Sequence, residues 1–231
     1  MTTQHPLDNP VWASLTSRHA SLAHRVGDAA RYPADIAPFL AVGTSDARAA
    51  EQATALVAPG ELVCFVGLAP PLLGGWRVEQ SVLIAQMIRR ERLKVVDGAL
   101  VVELSRAHLA DMLTLTALVY PHYFRPRTIE MGRYLGIYTD GVLAAMAGER
   151  MRFDGYQEIS AVCTHPDYAG RGYARRLMAM LTNDILDSGC LPFLHFSHEN
   201  VRAKSLYERI GFSFRTDIPL LAVSRVSGNA A

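Results

Sequence analysis

One stretch of the chain, residues 158–174, constrains the possible folds more than any other. An apolar run from Glu158 to Thr164 is followed by a short loop and then by Gly170-Arg-Gly-Tyr-Ala174. This order predicts a buried strand, a tight loop and the start of a helix. The first N–H groups of a helix have no partner within it, and the helix dipole is positive there. We therefore expect a phosphate to bind at this junction, with Gly170 and Gly172 allowing it to come close.

Composition narrows the class of protein. The chain has 231 residues, 50% of them hydrophobic, which is enough for one large core or two modest ones. A formal net charge of +1 provides no electrostatic footprint for nucleic acid or an anionic membrane. No apolar run approaches the roughly 20 residues that span a bilayer, and the first residues do not form a signal peptide pattern. Three widely separated cysteines favour reduced thiols and a cytoplasmic location.

Two α/β parts are expected, over residues 1–95 and 99–225. In the first part, residues 46–57 predict a helix and residues 62–67 a buried strand, whereas residues 78–88 fit a strand or a helix. Nearer the N-terminus, one helical face is indicated by Val11, Leu15, His19 and Leu22.

The second part predicts a mixed sheet. Ser105 is a plausible N-cap for a helix that follows a strand at residues 100–104, and Asp140-Gly141 between two apolar runs predicts an antiparallel hairpin. Because strand–helix–strand connections are right-handed, residues 191–196 should lie parallel to the strand that begins at Glu158. The expected fold class is α/β (α+β), with antiparallel strands first and a parallel pair at the phosphate site.

Two familiar phosphate-binding motifs are excluded. No Gly-Lys-Ser/Thr follows the glycine loop, and no third glycine completes a dinucleotide-binding pattern. At these residues the chain instead resembles the GNAT superfamily of acyl-CoA-dependent N-acyltransferases, whose pattern Gln/Arg-x-x-Gly-x-Gly/Ala falls on residues 169–174. The first position departs from it, because Ala169 has no polar side chain. A second segment, Asn200 to Phe212, is similar to the superfamily's Asn-x-x-A-x-x-L-Y-E-x-x-G-F helix.

This resemblance covers about residues 99–223 and is to the FR47-like, glycine N-acyltransferase-like branch especially, in which a degenerate α/β half precedes the catalytic domain. It implies a sheet whose parallel strands splay at the coenzyme A (CoA) site. Asn200 would contact CoA or simply cap its helix. The residues implied for binding acetyl-CoA are Val162, Cys163, Thr164, Ala169, Gly170, Arg171, Gly172, Tyr173, Ala174, Arg175, Asn200, Ala203 and Tyr207.

Acyl transfer from a thioester to an amine needs a base, because an amine with a pKa of about 10 is mostly protonated at neutral pH. Glu158 lies 14 residues before Gly172, where the histone-acetylating branch of the superfamily carries its base, and Glu149 is the second candidate. An exposed charge at a strand end is the simpler explanation of Glu158. Alternation along the strand predicts that one face is shared by Glu158, Ser160, Val162 and Thr164.

Two further catalytic roles are implied by the resemblance. The main-chain N–H of Val162 would stabilise the oxyanion, and Tyr207 would protonate the departing thiolate. Tyr207 could otherwise be a core tyrosine whose hydroxyl merely finds a partner. Cys163 is expected to face the core and not to carry the acyl group.

The loop at residues 120–127 occupies the place where the family shapes its acceptor pocket. Arg125 and Arg127 could receive a carboxylate, and Tyr123 and Phe124 could wall an apolar chain, although packing and solvated charge explain such a loop equally well. His195 and His198 stand apart from other ligand types, so no metal is expected.

The sequence therefore predicts an acetyl-CoA-dependent N-acetyltransferase that acts on a primary amine by direct attack in a ternary complex. The acceptor would be a small molecule or a peptide, without a nucleic-acid or membrane partner, and a homodimer is possible. The alternatives are a CoA-binding regulatory module without transfer activity and an N-acyltransferase that uses a longer acyl-CoA.

Overall fold

The computed structural model describes residues 5–121 and 123–226, and the chain divides into two compact units. The first unit contains the residues up to 34, residues 38–85 and those from 217, and the second contains residues 35–37 and 86–216. The division differs from the one expected near residues 95–99. The expectation about a signal peptide falls partly on residues 1–4, outside the described residues. Among the described residues, no helix is both long enough and apolar enough to cross a membrane.

The first unit is built on a small antiparallel sheet with two helices. Its core is formed by apolar side chains of these elements and of the strands that follow, such as Val42, Ala53 and Phe65. The pattern of residues 78–88 fits a strand or a helix, and in the structure they belong to a strand that spans Trp76–Ile88. The elements are α1 (Pro10–Leu15), β1 (His24–Val26), β2 (Ala29–Arg31), β3 (Leu40–Val42), α2 (Ala47–Ala55), β4 (Leu62–Val66), most of β5 (Trp76–Ile88) and most of β11 (Ser213–Arg225).

Local side chains explain where α1 ends and where α2 begins. The predicted helical face through Val11 and His19 is only partly correct, because α1 ends at Leu15 and a separate 3₁₀ turn spans Ala20–Leu22. Just after α1, the hydroxyls of Thr16 and Ser17 donate to main-chain carbonyls four residues earlier, which competes with continued helix. The expected helix at residues 46–57 is α2, and Asp46 caps it by accepting from the N–H of Ala49 at 2.8 Å.

The second unit contains the mixed sheet that the sequence predicts. Its strand order is β11-β5-β10-β9-β8-β7-β6, with β6 to β9 antiparallel and β9 parallel to β10. Asp140 and Gly141 form the expected hairpin turn, both with positive φ. The remaining elements of this unit are β6 (Val102–Leu104), α3 (Leu109–Val119), β7 (Tyr134–Thr139), β8 (Val142–Phe153), β9 (Tyr156–Thr164), α4 (Tyr173–Asp187), β10 (Leu191–Ser197) and α5 (Val201–Arg209).

A bulge in β9 reverses the alternation of its side chains. Ser160 pairs with Gly148 and Cys163 with Met146, so two residues of β9 lie opposite one residue of β8. Ala161 absorbs the extra residue with a φ of 51°, a left-handed conformation that is unfavourable for a non-glycine residue. The single strand face predicted for Glu158, Ser160, Val162 and Thr164 is therefore wrong, because strict alternation ends at Ala161.

The parallel pair β9–β10 is hydrogen-bonded at one end only. Its register runs over three pairs and ends at Glu158 opposite Phe193. Strand β9 continues to Thr164 and β10 continues to Ser197. The two strands therefore splay beyond Glu158, as the fold class predicted, and we call this opening the fork.

Candidate functional site

The loop before α4 has the backbone geometry of an anion site. Gly170 and Gly172 both have a φ of 79°, and Gly172 is the N-cap residue of α4 without any side chain that caps the helix. A Cβ atom at either glycine would meet nothing within 4 Å. Among the described residues, no side chain caps the first N–H groups of α4, so they can donate hydrogen bonds to a phosphate.

A groove of about 480 Å³ lies beside this loop. Ala169 and Gly170 line it on one side, and residues of α5 line it on the other side, namely Val201, Arg202, Ser205 and Arg209. In the part of the chain that the structure describes, neither Arg202 nor Arg209 is in an ion pair, whereas Lys204 of the same helix lies 4.0 Å from Glu208. Two guanidinium groups thus face a groove next to an uncapped helix N-terminus.

The sequence reasoning missed Arg202, Ser205 and Arg209. Their spacing of three and four residues places them on one face of a helix, and this signal was present in the sequence. All three residues fall on positions that the superfamily pattern leaves unspecified, whereas Asn200, Ala203 and Tyr207 fall on specified ones.

The other residues predicted around the phosphate loop lie at its surface. The guanidinium of Arg171 stacks 4.8 Å above the ring centre of Tyr168, and the hydroxyl of Tyr173 lies 3.2 Å from Oγ1 of Thr139. The hydrogen bond with Thr139 lowers the pKa of Tyr173. Arg175 is exposed and Ala174 is half-buried. The loop is therefore held to the β7–β8 hairpin by Tyr173.

Asn200 caps α5. Its side-chain oxygen accepts from the N–H of Ala203 at 3.0 Å. Of the two roles that the sequence left open, capping is the one that the structure shows, and a contact between Asn200 and CoA stays a prediction.

Tyr207 is buried among aromatic rings. Its ring centre lies 5.5 Å from that of Phe196 and 6.2 Å from that of Phe212. Burial raises the pKa of the hydroxyl, and the nearby groups of Cys163 and Tyr120 raise it further. Among the described residues, none forms a hydrogen bond with this hydroxyl. Tyr207 therefore keeps its proton at neutral pH and has it available to donate.

The residues after the bulge in β9 line the fork with their main chain. Val162 and Thr164 are half-buried, and both lie beyond the last pair with β10. Cys163 packs in an apolar cluster with Met112 and Leu115, and burial raises the pKa of its thiol to about 12. Such a thiol is almost wholly protonated at neutral pH, so Cys163 is unsuited to carry an acyl group.

Glu158 is fully buried and bound by charged partners. Arg150 donates to both carboxylate oxygens, at 2.7 and 2.6 Å, and Nδ1 of His195 lies 2.7 Å from Oε1. Burial would raise the pKa of Glu158, but the charge and hydrogen bonds of Arg150, together with His195, outweigh it and lower the pKa to about 2. A carboxylate that holds a proton so weakly is a poor proton acceptor, which disfavours the predicted role as general base.

Glu149 has the more suitable pKa but lies on the other face of the sheet. Burial raises its pKa, and the N–H of Arg133 donates to its carboxylate at 3.2 Å. Glu149 pairs with Ile159, whose side chain points away from the face of its neighbour Glu158. Glu158 and Cys163 lie on the face of the sheet against which Tyr134 packs. Tyr207 lies near Cys163, on that same face. The sheet therefore separates Glu149 from Tyr207.

The predicted acceptor loop is partly packed and partly paired. Tyr123 stacks on Tyr120 with ring centres 5.0 Å apart, and Phe124 packs edge-on against Tyr134 at 5.6 Å. The guanidinium of Arg127 binds both Glu130 and Asp35, and these bonds raise its pKa. Its predicted role in receiving a substrate carboxylate is therefore disfavoured. Arg125 is half-buried and its main-chain N–H donates to Thr128 at 2.8 Å.

Comparisons with known proteins identify the family and the fold of this chain. The family model of FR47-like proteins matches residues 134–218. A solved structure from Novosphingobium aromaticivorans, assigned to the GNAT family of acetyltransferases, is 33% identical, with a TM-score of 0.87 over 97% of this chain and 100% of that one. None of the curated protein sequences matches the chain.

Two more distant structures share the fold. A GCN5-related N-acetyltransferase from Kribbella flavida is 17% identical, with a TM-score of 0.63 over 96% of each chain. A GCN5-related N-acetyltransferase-like protein from Streptococcus suis is 16% identical, with a TM-score of 0.56 over 93% of this chain and 92% of that one.

The ion pair at Glu158 predicts a specific acid sensitivity. Because the folded-state pKa is lowered to about 2 from an ordinary value of 4.5, the carboxylate stabilises the fold above pH 4.5, and this stabilisation is lost as the pH falls from 4.5 towards 2. Across this window we expect wild type to lose roughly 3 kcal/mol more of its unfolding free energy than Glu158→Gln, measured by urea unfolding at each pH. Glu103→Gln, which removes an exposed partner of Arg133, should behave as wild type. Parallel pH profiles for Glu158→Gln and wild type would contradict the assignment.

Proposed function

Because the chain belongs to the GNAT family of acetyltransferases, we propose that it moves an acetyl group from acetyl-CoA to a primary amine by direct attack in a ternary complex. The observation that carries this proposal is the N-terminus of α4, which has two glycines and no side-chain cap, beside a groove lined by Arg202 and Arg209. The fork between β9 and β10 lies in the same unit and offers an extended ligand the main chain of β9 beyond Glu158.

The phosphates and the pantetheine arm of CoA each have a matching feature in this unit. The pyrophosphate would bind the N–H groups at the start of α4, where dipole and free donors favour a diphosphate. Arg202 and Arg209 would bind the remaining negative charge from the α5 side of the groove. This division explains how the loop can work with Ala169 in place of the polar residue that the family pattern carries. The pantetheine arm would lie in the fork, against the main chain of residues 162–164.

The chemical step needs three protein contributions. The amine attacks the thioester carbonyl, a C–N bond forms, and the main-chain N–H of Val162 would stabilise the negative oxygen. When the C–S bond breaks, Tyr207 would give its proton to the CoA sulfur and regain one from the water that took the proton of the amine. The support for Tyr207 in this role is its raised pKa and its unbonded hydroxyl.

Neither candidate carboxylate supports general-base catalysis, so we propose that the amine reacts from its free-base form. Glu158 is bound by Arg150 and His195, and Glu149 lies on the opposite sheet face. The value of kcat/KM for the amine should then rise tenfold per pH unit until the pH reaches the pKa of the amine itself. A profile that levels off well below that pKa would instead show that the protein supplies a base.

Arg202→Ala tests the groove. Loss of one guanidinium–phosphate contact should raise the KM for acetyl-CoA about tenfold and leave kcat nearly unchanged. Lys204→Ala on the same helix is the matched control, because Lys204 is near Glu208 and does not line the groove. Equal KM values for the two variants would exclude Arg202 from CoA binding.

Tyr207→Phe tests the acid. We expect a loss of 10- to 100-fold in kcat with little change in the KM for acetyl-CoA, measured by release of the free CoA thiol with a panel of amines. Tyr156→Phe, at the opposite end of β9, should retain the wild-type rate. An unchanged kcat in Tyr207→Phe would remove Tyr207 from the mechanism.

The thiol-release assay, together with the melting temperature in the presence of each thioester, separates the alternative functions. A CoA-binding regulatory module would be stabilised by CoA yet release no thiol with any amine. An enzyme for a longer acyl group would show its largest rise in melting temperature with that thioester rather than with acetyl-CoA.

A further inference from the structure

A row of polar side chains crosses five neighbouring strands of the second unit, one residue from each. In the order of the sheet it consists of Arg215 on β11, Gln86 on β5, His195 on β10, Glu158 on β9 and Arg150 on β8. Gln86 and Glu158 are 0% exposed, and the side chain of His195 is 3% exposed. We call this set the polar row. Buried polar groups are costly unless each finds a partner, so its hydrogen bonds must be mutually consistent.

The hydrogen bonds of the polar row allow only one arrangement of protons. Arg215 can only donate, and its Nη1 lies 2.8 Å from Oε1 of Gln86, so this oxygen must be the acceptor. The amide nitrogen of Gln86 then faces Nε2 of His195 at 2.9 Å and donates to it. Nε2 must therefore lack a proton, and the imidazole carries its proton on Nδ1, which donates to Glu158 at 2.7 Å.

Three charged side chains of the polar row and one aromatic ring surround the imidazole of His195. The charges that face the imidazole through the row are those of Glu158, Arg150 and Arg215, and the ring of Phe193 packs edge-on against it at 5.6 Å. A doubly protonated imidazole would require Gln86 to turn its amide, which would direct the NH₂ group at the guanidinium of Arg215. Arg215 therefore sets the orientation of Gln86, and Gln86 sets the tautomer of His195.

The polar row lies at the base of the fork. Main-chain pairing between β9 and β10 ends at Glu158 opposite Phe193, and His195 is two residues further along β10. The hydrogen bond between His195 and Glu158 therefore joins the two strands where their backbone hydrogen bonds stop. The separation of the strands just beyond this bond is the space in which a ligand arm would lie.

We propose that Gln86 is a positioning residue that acts through His195: by holding the Nδ1–H tautomer it keeps Glu158 in place and fixes the opening of the fork for the pantetheine arm of CoA. The identity of the ligand in the fork rests on the proposed function, whereas the tautomer of His195 follows from the hydrogen bonds of the polar row. Gln86 touches neither CoA nor the acceptor, and its effect passes through one hydrogen bond to His195.

Gln86→Glu tests this proposal with almost no change of shape. A carboxylate can only accept, so Nε2 of His195 must gain a proton to keep its bond, and the imidazole becomes doubly protonated between two carboxylates. Nitrogen NMR of the histidine rings at pH 7 should show one protonated nitrogen, Nδ1, in wild type and two in Gln86→Glu. Gln80→Glu, the same change at an exposed position of β5, should leave the His195 signals as in wild type.

The affinity for CoA tests the effect on the fork. We expect Arg215→Met, which frees the Gln86 amide to turn and so allows Nδ1 of His195 to lose the proton that it donates to Glu158, to weaken CoA binding about fivefold, measured by titration calorimetry. Gln80→Glu should leave the affinity unchanged. A shifted tautomer without weaker binding would overturn the role of Gln86 in positioning the fork. Failure of wild type to bind CoA would refute the proposed function and the ligand of the fork, while the NMR result would still decide the tautomer.

The wild-type spectrum is decisive even if Gln86→Glu does not fold. A proton on Nε2 of His195 in wild type, with or without one on Nδ1, would overturn the proposal. A proton on Nδ1 alone that becomes mixed between the two nitrogens in Arg215→Met would support it, because the charge of Arg215 holds the amide of Gln86 in this orientation.

Discussion

The candidate site depends on the early end of the hydrogen-bonded ladder between β9 and β10. A parallel pair that continued past Glu158 and Phe193 would close the fork and pair the main chain of residues 160–164 with β10. The bulge at Ala161 acts in the same segment, because it turns the main chain of β9 and reverses which side chains face the core. Both features carry a cost in the folded protein, one in missing backbone pairs and one in an unfavourable φ, and together they create a surface that an extended ligand can use.

Neighbouring charged groups determine the pKa of each buried polar side chain at the fork, and hence its role. Glu158 and Tyr207 are both buried, yet the pKa of Glu158 falls and that of Tyr207 rises. The difference comes from Arg150 and His195, which hold the carboxylate in its charged form, whereas burial, Cys163 and Tyr120 all act to keep the phenol of Tyr207 protonated. A general base needs a raised pKa, whereas a structural anion needs a lowered one. Glu158 has the lowered pKa of a structural anion, and its hydrogen bonds join β9 to β8 and β10.

Local patterns predicted much of the fold and of the phosphate loop. The Asp140-Gly141 turn, the helix that begins after Asp46 and the glycines before α4 are each determined by a few adjacent residues, and all three were predicted from the sequence. The predicted strand face was wrong because a bulge depends on the register with β8. The role expected for Arg127 is disfavoured because its partner Asp35 lies 92 residues away in the chain.

The order of strand, loop and helix around Gly170 and Gly172 follows from local sequence, since turn chemistry and helix ends are properties of short segments. The set of side chains that meet at the fork depends on the folded sheet. The polar row joins Gln86 to Arg215 across 129 positions and Gln86 to His195 across 109. Such contacts are set by strand order and register in the folded sheet, which no local pattern specifies. For that reason the sequence indicated where a phosphate would bind, and the fold decided that Glu158 is a bound anion.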